Sequence, residues 1–172
     1  MYKGILLLGL VWPFFSFAVY NTPDTFLNDK TETKVLVFLS EKCPCSISHI
    51  NHLNDLVEEH SSVKFYGVIS EPAQSKEQEE MIQSYFTKEN FKFPIISDPK
   101  QTLVSKYKAL KTPHVTLINK GKILYQGGLT SNKSFKESGK RYLSENLKRL
   151  KKGLSVKYKN GSCLGCYIRR RK

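Results

Sequence analysis

Four cysteines among 172 residues are too few for a scaffold built on disulfides. The chain also lacks an apolar run long enough to cross a bilayer. Its longest largely apolar stretch, Ile5 to Tyr20, has sixteen residues and includes Pro13, whereas a spanning helix needs about 20. No glycine-rich phosphate loop, no zinc-protease helix and no internal repeat occurs, so those chemistries have no support in the sequence. Acidic residues are missing from Lys148 to the end. What remains is a chain with 40% hydrophobic, 12% aromatic and 25% charged residues. That composition suits a folded domain rather than a disordered chain, and the length can bury a core without staples.

The net charge of +13 is unevenly spread. Ten basic residues fall between Lys148 and Lys172, counting both, which leaves about +3 for residues 1–147. Such a tail favours contact with an anionic surface. Tyr158 and Tyr167 among its cations are too little to indicate nucleic-acid binding. At the other end, Met1-Tyr2-Lys3-Gly4, the apolar stretch, and small residues at Ser16 and Ala18 read as a signal peptide cut after Ala18. The expected layout is a signal at 1–18, a domain at 19–152 and a basic tail at 153–172. The mature protein is then exported, periplasmic or secreted, and keeps all four cysteines in an oxidising place.

From Lys34 onward, strand-like and helix-like segments alternate. Val35–Leu39 and Val63–Ser70 read as strands, the first buried on both faces. Ser46–His60 carries Ile47, Ile50, Leu53 and Val57 at helical spacing. Glu71–Asn90 reads as a surface helix, Phe93–Ile96 as a short strand, and Gln101–Tyr107 as a helix capped by Asp98. Val115–Ile118 and Ile123–Gln126 flank Asn119-Lys120-Gly121-Lys122 as a hairpin, and Ser134–Lys152 closes with a helix. This order predicts an α/β sandwich with a mixed central sheet.

The chemistry gathers at Phe38-Leu39-Ser40-Glu41-Lys42-Cys43-Pro44-Cys45-Ser46, where a buried strand gives way to a helix. A cysteine at a helix N-terminus meets unpaired amides and the positive end of the dipole, which favour thiolate. Lys42 is expected to add to this, and Pro44 suits the first helical turn. His49, His52 and His60 are read as surface residues of the helix.

A strand ending in Phe38 with Cys43-Pro44 beyond it, an amphipathic helix, and Thr112-Pro113 before a strand, hairpin and helix together resemble the thioredoxin fold. More closely, the chain resembles exported redoxins of the alkyl hydroperoxide reductase/thiol-specific antioxidant (AhpC/TSA) type, which often finish as Gly165-Cys166-Tyr167-Ile168-Arg169 does here. The resemblance runs from about Thr33 to the C-terminus. It implies a thioredoxin-like three-layer sandwich followed by the basic, cysteine-containing tail. It also implies that Cys43 is the attacking cysteine, that Pro113 is a cis-proline packed against it, and that Thr112 offers backbone to a substrate strand.

The chain departs from the family patterns. Cys43-Pro44-Cys45 replaces Cys-x-x-Cys, with Ser46 where the resolving cysteine usually stands. A ring closed over one residue is small and strained, hence oxidising. Leu36 occupies the place of a peroxiredoxin's proline, although Ser40 fits its hydroxyl position. Cys163-Leu164-Gly165-Cys166 has the two-residue spacing instead, and its basic neighbours are expected to lower thiol pKa.

Three readings follow. The first is a thiol–disulfide oxidoreductase without cofactor. Cys43 attacks a protein disulfide or a peroxide, Cys45, Cys163 or Cys166 resolves the product, and a thiol donor supplies electrons. The second is a copper carrier using Cys43, Cys45 and His114, since thiolate and imidazole suit copper. The third is a binding module acting through the tail.

Overall fold

The computed structural model describes residues 21–70, 77, 80–82, 84–85 and 91–170. The expected signal peptide and most of the helix expected over 71–90 lie outside them, although residues 80–82 are helical.

Five strands come from the segments that alternation and apolar runs single out. These are β1 (Thr33–Leu39), β2 (Lys64–Ile69), β3 (Ile95–Ser97), β5 (His114–Asn119) and β6 (Lys122–Gly128). Between β3 and β5 lies the two-residue β4 (Lys111–Thr112), and after the last helix come β7 (Asn160–Gly161) and β8 (Cys166–Tyr167). The main sheet runs β3-β2-β1-β5-β6-β7, while β4 and β8 form a separate pair. β1 is parallel to β2 and antiparallel to β5, so the sheet is mixed.

Strand alternation sorts β1 into two cores. Val35, Val37 and Leu39 join Leu53 and Leu56 of α3 (Ile50–Glu59) and Leu143 and Leu147 of the C-terminal helix. Leu36 and Phe38 join Phe26 of α1 (Pro23–Leu27) and Leu103 and Val104 of α4 (Thr102–Lys106). Helices thus cover both faces of one sheet, and β1 is buried from Val35 to Leu39 as its apolar run requires. Thr22-Pro23-Asp24, a turn-then-proline helix start, forms α1, which the hydrophobic pattern did not announce.

Two expected helices are shorter than their periodicity. Ser46–His60 divides into α2 (Pro44–Ile47) and α3. The Cys45 carbonyl, which a continuous helix would give to the His49 amide, accepts instead from Ser48 Oγ at 3.1 Å and His49 Nδ1 at 2.7 Å. The helix expected from Ser134 begins only at Tyr142, as α5 (Tyr142–Lys151). Residues 131–140 close into a loop instead: the Ser131 amide donates to the Lys140 carbonyl at 2.9 Å and the Lys140 amide to Ser131 Oγ at 3.0 Å.

The tail folds back along the domain. Asn146 of α5, fully buried, accepts the amides of Lys157 and Tyr158 on Oδ1 and donates Nδ2 to the Tyr158 carbonyl. β7 then pairs in parallel with β6, at Gln126–Asn160 and Gly127–Gly161. Gly127 has φ +146, and a Cβ there would overlap the Gly161 backbone, so glycine is required for this approach.

Asp98 fixes α4 as expected of a cap, accepting the amides of Thr102, Leu103 and Val104 at 2.8, 3.0 and 3.2 Å. Asp98→Ala strands these buried donors and should lower unfolding stability by about 1–3 kcal/mol. Urea denaturation checks this, and an unchanged midpoint would remove the cap from the account.

Candidate functional site

Cys43 is the N-cap of α2, at the end of the loop that follows β1. The Thr112–Pro113 bond beside it is cis. Cys43 is fully buried, and its Sγ lies 3.2 Å from the Thr112 carbonyl oxygen. β8 pairs antiparallel with β4 and sets Cys166 opposite Thr112 and Tyr167 opposite Lys111. The pairing thus brings Cys166 to the strand edge whose Thr112 carbonyl Cys43 Sγ also meets, where Cys43 and Cys45 both act on the Cys166 thiol. Cys163 sits slightly apart, its Sγ 3.2 Å from the Pro113 carbonyl oxygen.

The thiols differ sharply in acidity. Burial works to raise the pKa of Cys43, but the Cys166 side chain and the Cys166 and Ser46 amides, as donors, help bring it down to about 7. Cys45 is pushed up by burial and by the neighbouring Cys43 charge. Burial pushes Cys163 up to about 11. Cys166 is exposed, and the interaction with Cys43 holds its thiol up at about 12. One acidic thiol thus stands against a weakly acidic one already touching it.

Several expectations about this chemistry need correction. Basic residues do not lower the tail thiols: Lys111 opposes the rise at Cys163, but burial wins. Lys42 is not among the largest influences on the Cys43 thiol, and its exposed Nζ lies 4.0 Å from Glu41. With α2 only four residues long, individual hydrogen bonds rather than a long helix dipole lower the pKa.

The histidines are buried, not solvated. The Cys45 carbonyl can only accept, so His49 carries its proton on Nδ1, and Nε2 accepts from the Thr130 hydroxyl at 2.8 Å. His52 stacks on Phe135 of the 131–140 loop, with centroids 4.3 Å apart, and burial lowers its pKa to about 4. His60 is also buried, with its pKa lowered. His114 follows Pro113, packs edge-on to Phe38, and is lowered to about 4 by burial. Cys43, Cys45 and His114 do not form a ligand set: among the described residues, no group of three or more such side chains is disposed to hold a metal ion.

The docking of β8, which carries Cys166 to Cys43, was not foreseeable from motif spacing. Gly165 next to a cysteine and Ile168 two residues beyond it are the available signals. A Cβ at Gly165 would overlap the Thr112 carbonyl oxygen, and Ile168 enters the core beside Leu36 and Ala109.

The fold is thioredoxin-like. The chain is similar to a pneumococcal exposed lipoprotein thioredoxin from Streptococcus pneumoniae, with TM-score 0.51 and 17% identity over 58% of this chain and 76% of that one. A hypothetical protein from Sinorhizobium meliloti matches with TM-score 0.70 and 19% identity, over 80% of this chain and 79% of that one. An uncharacterized conserved protein from Geobacillus kaustophilus matches with TM-score 0.69 and 22% identity, over 82% and 78%. No curated relative matches. Residues 14–169 match the model of a family described as a domain of unknown function, DUF6436.

Cys166→Ala removes the side chain that most lowers the Cys43 pKa. The Cys43 pKa should rise by about 1–2 pH units from its value near 7, the effect of one hydrogen bond to a charge. Ultraviolet thiolate absorbance against pH reads the midpoint, and an unmoved midpoint would contradict the assignment.

Proposed function

We propose that this chain, which belongs to the DUF6436 family, is a thiol–disulfide oxidoreductase in which Cys43 attacks and Cys166 resolves. The observation that carries this reading is the pairing of Cys166 opposite Thr112, whose carbonyl oxygen lies 3.2 Å from Cys43 Sγ beside the cis Thr112–Pro113 bond.

The Cys43 thiolate attacks one sulfur of a disulfide substrate. A Cys43–substrate S–S bond forms, the substrate S–S bond breaks, and the leaving thiolate takes a proton. Cys166, after losing its proton to solvent or to a leaving thiolate, attacks Cys43 Sγ. The Cys43–Cys166 bond forms and the second substrate sulfur leaves as a thiol. The substrate gains two electrons and the Cys43–Cys166 dithiol loses them. A thiol donor then returns the pair to the reduced form. Cys45 is a second resolving candidate, but it would close a strained ring over one residue. Thr112 and Pro113 line the attacking sulfur, and Cys163 is a further thiol within electrostatic reach of it.

The likeness to AhpC/TSA redoxins extends the acceptor to a peroxide. Thiolate attack on the O–O bond leaves a sulfenic acid on Cys43 and releases an alcohol or water; Cys166 then displaces water from it. The same two sulfurs serve both acceptors. Export through the N-terminal apolar stretch belongs to this reading, because a dithiol in an oxidising compartment needs a dedicated donor. The excess positive charge of the tail adds contact with an anionic surface in this reading.

Cys43→Ser should abolish turnover of both disulfide and peroxide. Cys166→Ser should retain the first attack and accumulate the Cys43–substrate mixed disulfide, visible as an intact-mass adduct. Full turnover by Cys43→Ser would overturn the mechanism.

A further inference from the structure

We infer that the edge of β4 selects an extended polypeptide with glycine immediately before the reactive cysteine and an aliphatic residue two positions after it, and that the chain's own tail occupies this edge as a tethered competitor. The inference rests on the redox reading of Cys43 and names its substrate class.

Cys43 is fully buried with its Sγ on the Thr112 carbonyl, and β8 covers that edge by pairing Cys166 with Thr112. An incoming disulfide must therefore displace β8 to meet it. Displacement leaves the main-chain groups of Lys111 and Thr112 unpaired, and an extended segment restores those bonds by adding in the same antiparallel register. The tail records what that register admits. Opposite the Thr112 carbonyl there is no room for a Cβ at Gly165. Two residues beyond Cys166, the Ile168 amide donates to the Leu110 carbonyl at 2.9 Å, and its side chain is buried with Leu36, Leu103 and Ala109.

Polar contacts continue the same line. Gln101 Nε2 donates to the Arg169 carbonyl at 2.6 Å, and Arg170 Nη2 to the Ala109 carbonyl at 2.8 Å. By contrast, Tyr167 points outward, 76% exposed beneath Lys111 Nζ, so the position directly after the cysteine is read weakly. Backbone bonds give general affinity for an extended chain, while glycine and isoleucine give the selection.

The test uses a synthetic peptide of residues 162–170 with Cys163→Ser, its remaining cysteine held as a mixed disulfide with thionitrobenzoate. Attack by Cys43 on the peptide sulfur forms the protein–peptide disulfide and releases coloured thionitrobenzoate. Two further peptides carry Gly165→Ala or Ile168→Asp. The parent peptide should react about tenfold faster than either, since one substitution forces an overlap and the other buries a charge. In protein bearing Gly165→Ala, where the added Cβ expels the tail strand, the parent peptide should react faster than with unaltered protein once each rate is divided by the ionised fraction of Cys43, read from thiolate absorbance. If that variant does not fold, the ranking of the three peptides on unaltered protein still decides.

The small disulfide of thionitrobenzoate, with the labelled cysteine located by peptide mapping, reports on Cys43 itself. Equal rates for all three peptides, with the small disulfide still reacting at Cys43, would overturn the selection and leave the redox reading standing. Loss of reaction with every probe would overturn both.

Discussion

The pairing of β8 with β4 is the contact on which the site depends. It covers only two residue pairs, yet it sets the position of Cys166, the largest influence that lowers the Cys43 pKa. So short a ladder does not hold itself together. It is held by Ile168 in the core on one side and by the anchoring of Tyr158 and Lys157 on Asn146 on the other. Burying an isoleucine side chain contributes about 1.5–3 kcal/mol, enough to dock a strand but not to make its release prohibitive.

The electrostatics follow from the same geometry. A buried thiol ordinarily resists ionisation, because a charge loses water that nothing replaces. At Cys43 the lost water is replaced by donors, and the largest of these is the Cys166 thiol. That bond acts in opposite directions on its two ends: it makes Cys43 more acidic and Cys166 less so. The arrangement separates the order of events, with Cys43 ionised first and Cys166 held as a thiol until Cys43 has been consumed.

Much of the fold was legible in the sequence because its signals are local. The apolar run at 35–39, the hairpin around Gly121 and the cap at Asp98 depend on neighbouring residues, and each has its expected form. Periodicity misjudged the helix ends because single side chains intervene there: Ser48 and His49 take the Cys45 carbonyl, and Ser131 closes the loop before Tyr142. The histidines looked solvated on a helical wheel, but Phe135 and Thr130 arrive from far along the chain to cover them. Cys43, Thr112 and Pro113 could be singled out by motif order. The docking of Cys166 could not, since strand pairing across more than fifty residues leaves no local period, only a glycine and an isoleucine.

Redox titration of the reduced protein, with acid trapping of thiols and peptide mapping of disulfides at each potential, tests the central claim most directly. The account predicts that a reversible Cys43–Cys166 disulfide is the first to form. A first disulfide between Cys43 and Cys45, or between Cys163 and Cys166 with Cys43 still reduced, would contradict it.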